Sequence, residues 1–293
     1  MRSEFSGTGV ALATPLLRDL SIDFESLKKL IEHILSGQVD YLVVQGTTGE
    51  SPVFSWEEKL NLLRFVLEEN KGRVPVVFGL GGNNTLDLIK KSKDLSDFDI
   101  AAFLSVSPYY SRPSQDGIIR HYTMLADAFP KPVILYNVPT RTASNVEAET
   151  TLRLAEHANI IAMKEASGNL IQCEQILKNK PEGFMLVSGD DQMTLNLIEK
   201  GADGVISVVA NILPEIFTQM VNAALAGDTK AAGVVNQRLT PVYKLLSEEG
   251  NPSSLKTGLS ELNICLNTVR PPLFEGSDSL KMKWKELLTA FKA

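Results

Sequence analysis

Cysteine, histidine and clustered basic residues are scarce in this chain: its 293 residues include two cysteines and three histidines. Cys173 and Cys265 have no C-x-x-C partner and no histidine at ligand spacing. That excludes a disulfide framework or zinc site and leaves two core thiols in apolar segments that read as helical. His33, His121 and His157 also fall on segments that read as helices, without metal-ligand spacing, and are expected to be structural or surface residues. No run of basic residues stands out, and the formal net charge of -6 excludes an electrostatic nucleic-acid footprint. No stretch of 18 apolar residues occurs, and the N-terminal MRSEFSGTG has no apolar signal region. The expectation is a cytoplasmic protein in a reducing compartment, away from membranes. Gly79-Leu80-Gly81-Gly82 lacks both a following Lys-Ser/Thr and a G-x-G-x-x-G register, so it reads as turn glycines rather than a phosphate cradle. Asp190-Asp191 lacks a third ligand at useful spacing and is expected to cap a helix over 192–200 instead of holding magnesium.

What is present is a long alternation of short apolar runs and amphipathic segments. A composition of 44% hydrophobic and 22% charged residues suits one large globular unit that turns over small molecules. Apolar runs at 9–14, 41–44, 74–80, 101–106, 133–136, 160–163, 185–188 and 204–208 read as strands buried on both faces. Between them, helical spacing recurs. Phe24, Leu27, Leu30, Ile31 and Ile34 form one stripe, and Ser55-Trp56-Glu57-Glu58 is a capping box opening a helix that Gly72 stops. Further helices are predicted over 85–95, 117–129, 146–158, 170–177 and 193–200. Eight strand and helix pairs in about 225 residues predict an α/β fold, a (β/α)8 TIM barrel, with an open doubly wound sheet as the alternative. From Pro214 onward only helical segments follow, so residues 1–225 are assigned to the barrel and 226–293 to a C-terminal α-helical extension.

In such a barrel the active site lies where the strands end. The sixth strand ends at Lys164, followed by Glu165 and a Ser167-Gly168 turn. A lysine nucleophile needs desolvation or a nearby cation, because the free amine is almost wholly protonated at neutral pH. Lys164 is thus a candidate Schiff-base residue, although the segment alone equally describes a lysine that leaves the sheet for solvent. The other strand ends supply hydroxyls at Thr47, Tyr110 and Tyr136, groups that donate and accept the protons an imine reaction must move. Backbone N–H groups of the Gly-rich turn 46–50 could hold a carboxylate.

Five motifs occur in order: Gly46-Thr47-Thr48-Gly49-Glu50-Ser51, Ser107-Pro108-Tyr109-Tyr110-Ser111-Arg112-Pro113, Tyr136-Asn137-Val138-Pro139-Thr140-Arg141-Thr142, Lys164-Glu165-Ala166 and Gly189-Asp190-Asp191. Together they resemble the dihydrodipicolinate synthase family, within the N-acetylneuraminate lyase superfamily of class I aldolases. The resemblance implies condensation of pyruvate with L-aspartate 4-semialdehyde to 4-hydroxy-tetrahydrodipicolinate, the first committed step toward diaminopimelate and lysine. It implies no cofactor beyond a covalent imine of pyruvate on Lys164. Tyr136 would move protons, linked through Thr47 to a Tyr110 that reaches across from a neighbouring subunit, in a dimer of dimers. Thr48 and the main chain at Ile206 would hold the pyruvate carboxylate, Gly189 would lie in the substrate site, and Arg141 would take the semialdehyde carboxylate. A lyase acting on N-acetylneuraminate or 2-keto-3-deoxy sugar acids shares the lysine and tyrosine, but Thr47 and Arg141 favour the synthase. A barrel that has lost catalysis would have lost Lys164, Tyr136 or Thr47. Relatives inhibited by lysine imply an allosteric pocket formed here by Ser51, Trp56, Lys59, Asn83, Asp87 and Tyr109. Trp56 and Lys59 replace histidines there, and a cationic Lys59 predicts weak feedback inhibition.

Overall fold

The computed structural model describes residues 4–292. Eight parallel strands close into a barrel in sequence order. These are β1 (Gly7–Ala11), β2 (Tyr41–Val44), β3 (Val76–Gly79), β4 (Ala102–Val106), β5 (Val133–Asn137), β6 (Ile160–Glu165), β7 (Met185–Ser188) and β8 (Gly204–Ser207). β1 pairs with both β2 and β8, so no edge is left open. The strand side chains alternate between two cores. Tyr41, Val43, Val77, Leu104, Ile134, Ala162 and Ile206 fill the barrel, while Leu42, Val44, Phe78, Phe103, Leu135 and Met163 pack beneath the helices. Apolarity on both faces is why each strand reads as an unbroken run.

The surrounding helices are α1 (Phe24–Ser36), α2 (Trp56–Asn70), α3 (Thr85–Lys93), α4 (Gln115–Ala128), the short α5 (Pro139–Thr142), α6 (Ala148–Ala155), α7 (Leu170–Asn179), α8 (Thr194–Glu199) and α9 (Pro214–Leu225). α10 (Thr229–Glu248), α11 (Ser253–Glu261) and α12 (Asp278–Lys292) follow. The Ser55/Glu58 capping box forms at α2 as the sequence predicts. Several boundaries differ. Ser114 accepts from Gly117 N–H and starts α4 at Gln115, two residues before the predicted 117. α6 ends at Ala155, so His157 sits in the following turn, facing Asp127 at 3.0 Å, and is not helical. Cys265 likewise lies past the end of α11, buried in irregular chain. Among the described residues no helix is long and apolar enough to cross a membrane.

One irregularity positions the site. In the β5–β6 ladder Val133 pairs with Ile160, but Ile134 pairs with Ala162, leaving Ile161 as a bulge. A single inserted residue reverses which side chains face inward beyond it. Ile160 packs outward, whereas Ala162 lies in the inner core, and Lys164, two residues on, is turned into the barrel opposite Tyr136.

The C-terminal helices are stapled to the barrel. Arg270 sits 4.1 Å over the Phe54 ring and bonds the Leu20 and Val53 carbonyls and the Glu58 carboxylate. The Arg270 guanidinium pulls the Glu58 carboxyl down to about 2. With a folded value below the ordinary 4.5, this pair stabilises the fold above the ordinary value and loses that contribution as pH falls through 4.5 toward about 2. In thermal melts across that window, Glu58→Gln is expected to flatten the acid limb of Tm against pH. An unchanged limb would show that the pair carries no pH-linked stability.

Candidate active site

Lys164 and Tyr136 are the penultimate residues of β6 and β5 and face each other in register. Both are buried, and Lys164 Nζ stands 4.4 Å from the centroid of the Tyr136 ring. Lys164 makes no ion pair among the described residues. Its charged-group contact among the described residues is this cation–π approach, and no carboxylate there pairs with the amine. Gly189, just past β7, makes room for the lysine stem. A Cβ there would lie 3.1 Å from Lys164 Cε and 2.7 Å from Ala166 Cβ.

The Gly-Thr-Thr-Gly-Glu turn after β2 is held in an unusual backbone shape, with positive φ at Gln45 and Glu50. It is over-determined from outside. Thr14 Oγ1 donates to the Gly49 carbonyl at 3.0 Å, and Asn251 Nδ2 donates to Thr48 Oγ1 at 2.9 Å. The Glu50 carboxylate is buried against Lys256 of α11 and also accepts from Arg270 N–H at 2.8 Å. Lys256 in turn donates to the Thr268 carbonyl at 2.8 Å. Every polar atom of this buried pair that matters to the turn therefore has a partner, which is the condition for tolerating it.

Thr47, Thr48, Tyr136, Arg141, Lys164 and Gly189 line one cavity of about 670 Å³ at the C-terminal end of the strands. Arg141 comes from α5, where Pro139 opens a single helical turn; its Nη2 lies 3.4 Å from the Asn251 carbonyl. Asp190 and Asp191 line the same cavity. The capping expectation holds only for Asp190, which accepts from Gln192 N–H at 2.9 Å at a 3-10 turn. Asp191 instead ties down the chain after β8, accepting from Val208 and Val209 N–H at 2.9 Å each. Burial pushes its carboxyl up to about 6, opposed by Ser207 and these two amides. A second lobe of about 340 Å³ shares Thr47, Tyr136 and Arg141 and adds Ser51, Lys59 and Tyr109. Burial, helped by Lys91, lowers the Lys59 amine to about 8.

Other expected site residues lie apart from these walls. Tyr110, grouped by sequence with the strand-end hydroxyls, does not line either lobe of the cavity. It sits at a φ of 68° and is 91% exposed. Ile206 is buried in the inner barrel core. Of the expected allosteric set, Asp87 is paired with Lys91 at 2.6 Å, and that same amine lies 5.7 Å over the Trp56 ring. Trp56 Nε1 donates to Asp94 at 2.9 Å, and Asn83 Nδ2 to the Tyr109 carbonyl at 3.2 Å.

The model of the dihydrodipicolinate synthetase family matches residues 4–291. The chain belongs to this family. It is 47% identical over 268 residues to the 4-hydroxy-tetrahydrodipicolinate synthase of Parabacteroides distasonis, covering 91% of this chain and 90% of the other. The crystal structure of dihydrodipicolinate synthase from Aquifex aeolicus is similar with a TM-score of 0.95 at 35% identity, over 98% of each chain. That of the chloride-inhibited enzyme from Acinetobacter baumannii, complexed with pyruvate, gives 0.94 at 33% identity over 97% of this chain and 98% of that one.

Asn251 and Lys256 escaped the sequence reading. Nothing local marks a helix-borne lysine or a loop asparagine 200 residues from the turn it holds. Replacing Lys256 by methionine strands the Glu50 carboxylate, and the expected loss is about 3–5 kcal/mol in urea unfolding. Glu50→Gln/Lys256→Met should recover part of it. A Lys256→Met midpoint equal to that of the unaltered chain would refute the anchoring role.

Proposed function

We propose that this chain condenses pyruvate with L-aspartate 4-semialdehyde through an imine on Lys164, yielding 4-hydroxy-tetrahydrodipicolinate. The observation that carries this reading is a buried, carboxylate-free lysine facing a tyrosine across one strand pair, in a cavity walled by Thr47, Thr48 and Arg141. The family membership and the pyruvate complex of the Acinetobacter relative support the choice of keto acid.

The Lys164 amine attacks the pyruvate carbonyl carbon, and the carbinolamine loses water to give the imine. Removal of a methyl proton gives the enamine, whose terminal carbon forms a C–C bond to the semialdehyde's aldehyde carbon. The semialdehyde's amine then adds to the imine carbon, closing the ring and releasing Lys164. Tyr136 shuttles the protons, since a phenol both donates and accepts, and the Thr47 hydroxyl extends that relay without adding charge. The far end of the relay is Tyr110 of a second copy, and the exposure of that ring on its own protomer supports this. The active assembly is a dimer, two of which form a tetramer.

Thr48 holds the pyruvate carboxylate through its backbone N–H and its hydroxyl, whose oxygen accepts from Asn251 and so leaves the O–H to donate, with the main chain at Ile206 completing the cradle. Arg141 meets the semialdehyde carboxylate with two parallel N–H donors. No cofactor is required, and the reaction belongs in the cytoplasm. Lys59, in the second lobe with Ser51 and Tyr109, repels the ammonium of a lysine effector.

Incubation with pyruvate and borohydride should add one pyruvate-derived mass to Lys164, and Lys164→Ala should abolish it. Labelling at another lysine would overturn the mechanism. Tyr136→Phe is expected to lower kcat about 10²–10⁴-fold. Consumption of N-acetylmannosamine in place of the semialdehyde would assign the lyase instead.

A further inference from the structure

Asn137 and Glu165 directly follow Tyr136 and Lys164 and pair with each other in the same ladder. Strand alternation sends them the opposite way, out of the barrel and under the helices. Both are buried there. The Glu165 carboxylate accepts from Asn137 Nδ2 at 3.0 and 3.2 Å, from Ser167 N–H at 2.6 Å and from Gln172 Nε2 of α7 at 2.9 Å. Asn137 Oδ1 accepts from Val146 N–H at 3.0 Å, which orients the amide so that its NH2 is shared between Glu165 and Asn145 Oδ1, the latter at 2.8 Å. None of these donors is a cation, and Glu165 forms no ion pair among the described residues.

A buried carboxylate without a counter-ion is a poor way to gain stability, because apolar side chains would fill the same space without the desolvation cost. What this one does is bridge two strand tips. Above the bulge at Ile161 the β5–β6 ladder resumes over four pairs, Ile134–Ala162 to Asn137–Glu165, and the side-chain bridge sits on the last of them, adding to the main-chain register at the end of the ladder nearest the site. We propose that Asn137 and Glu165 are positioning residues, a clamp on the outer face of the barrel that keeps the Lys164 amine and the Tyr136 phenol opposed on its inner face. The inference rests on the imine reading given above. Its effect is on rate: a loosened clamp lets the two tips drift, and proton transfer depends steeply on that geometry.

The test compares the full-length chain with Asn137→Ala, Glu165→Gln, Asn137→Ser and Gln172→Ala, trapping the pyruvate imine with borohydride and following it by intact mass. The final extent of labelling reports the folded fraction, and the rate constant reports positioning. Asn137→Ala and Glu165→Gln are expected to reach an extent close to that of the unaltered chain, at least tenfold more slowly, with kcat falling in parallel. Asn137→Ser, which keeps a hydroxyl able to bridge Val146 and Glu165, should regain part of the rate. Gln172→Ala removes one donor to Glu165 but keeps the direct Asn137–Glu165 bonds, and should stay within twofold. Unchanged rate constants in Asn137→Ala, or an equal slowing in Gln172→Ala, would overturn the clamp. Absence of any adduct in the unaltered chain is a different result and would overturn the imine reading, and this proposal with it.

Discussion

Everything at this site depends on the pairing of β5 with β6. Parallel strands offer evenly spaced hydrogen bonds and no intrinsic preference for one register, so register is set by which faces can be buried. Here the outer face takes Leu135 and Met163 and the inner face takes Ile134 and Ala162. The bulge at Ile161 reconciles these demands by switching the phase of β6 partway along. A consequence of that switch is chemical: it delivers a lysine to the interior of the barrel next to a tyrosine, buried and not ion-paired with any carboxylate among the described residues. Without it Lys164 would face the helices and Glu165 the cavity.

The second dependency runs through the C-terminal helices. The turn after β2 carries Thr47 and Thr48 on a backbone that ordinary residues avoid, so it needs external support. That support comes from Asn251, Lys256 and Arg270, all more than 200 residues away in sequence. The helical extension is therefore part of the site's wall and frame. Tyr243, Ser247 and Asn251 line the same cavity as Lys164. The two-lobed cavity also gathers charge of both signs: Lys59, Arg141 and Lys164 from α2, α5 and β6, with Asp190 and Asp191 in the larger lobe. Cations and carboxylates thus share one cavity, which suits reactants that carry both signs of charge.

The alternation of strands and helices was readable because strands buried on both faces produce apolar runs and barrel helices produce single stripes. The capping box at α2 and the lysine at the end of β6 were equally plain. Boundaries set by a single hydrogen bond, such as the Ser114 start of α4, were not, since a cap competes with its neighbours over one or two residues. Nor was the split role of Asp190 and Asp191, because whether an aspartate caps its own turn or reaches another strand's tail depends on where that tail runs.

Local composition by itself determined the number of strands, their order and the residue types at their ends, because periodicity and turn chemistry act over a few neighbours. Tertiary structure alone decided which way Lys164 points, that Glu165 and Asn137 meet behind it, that Lys256 reaches Glu50, and that Tyr110 turns away from its own cavity. Each of these depends on distances across the closed barrel, and no short stretch of sequence encodes a distance of that kind.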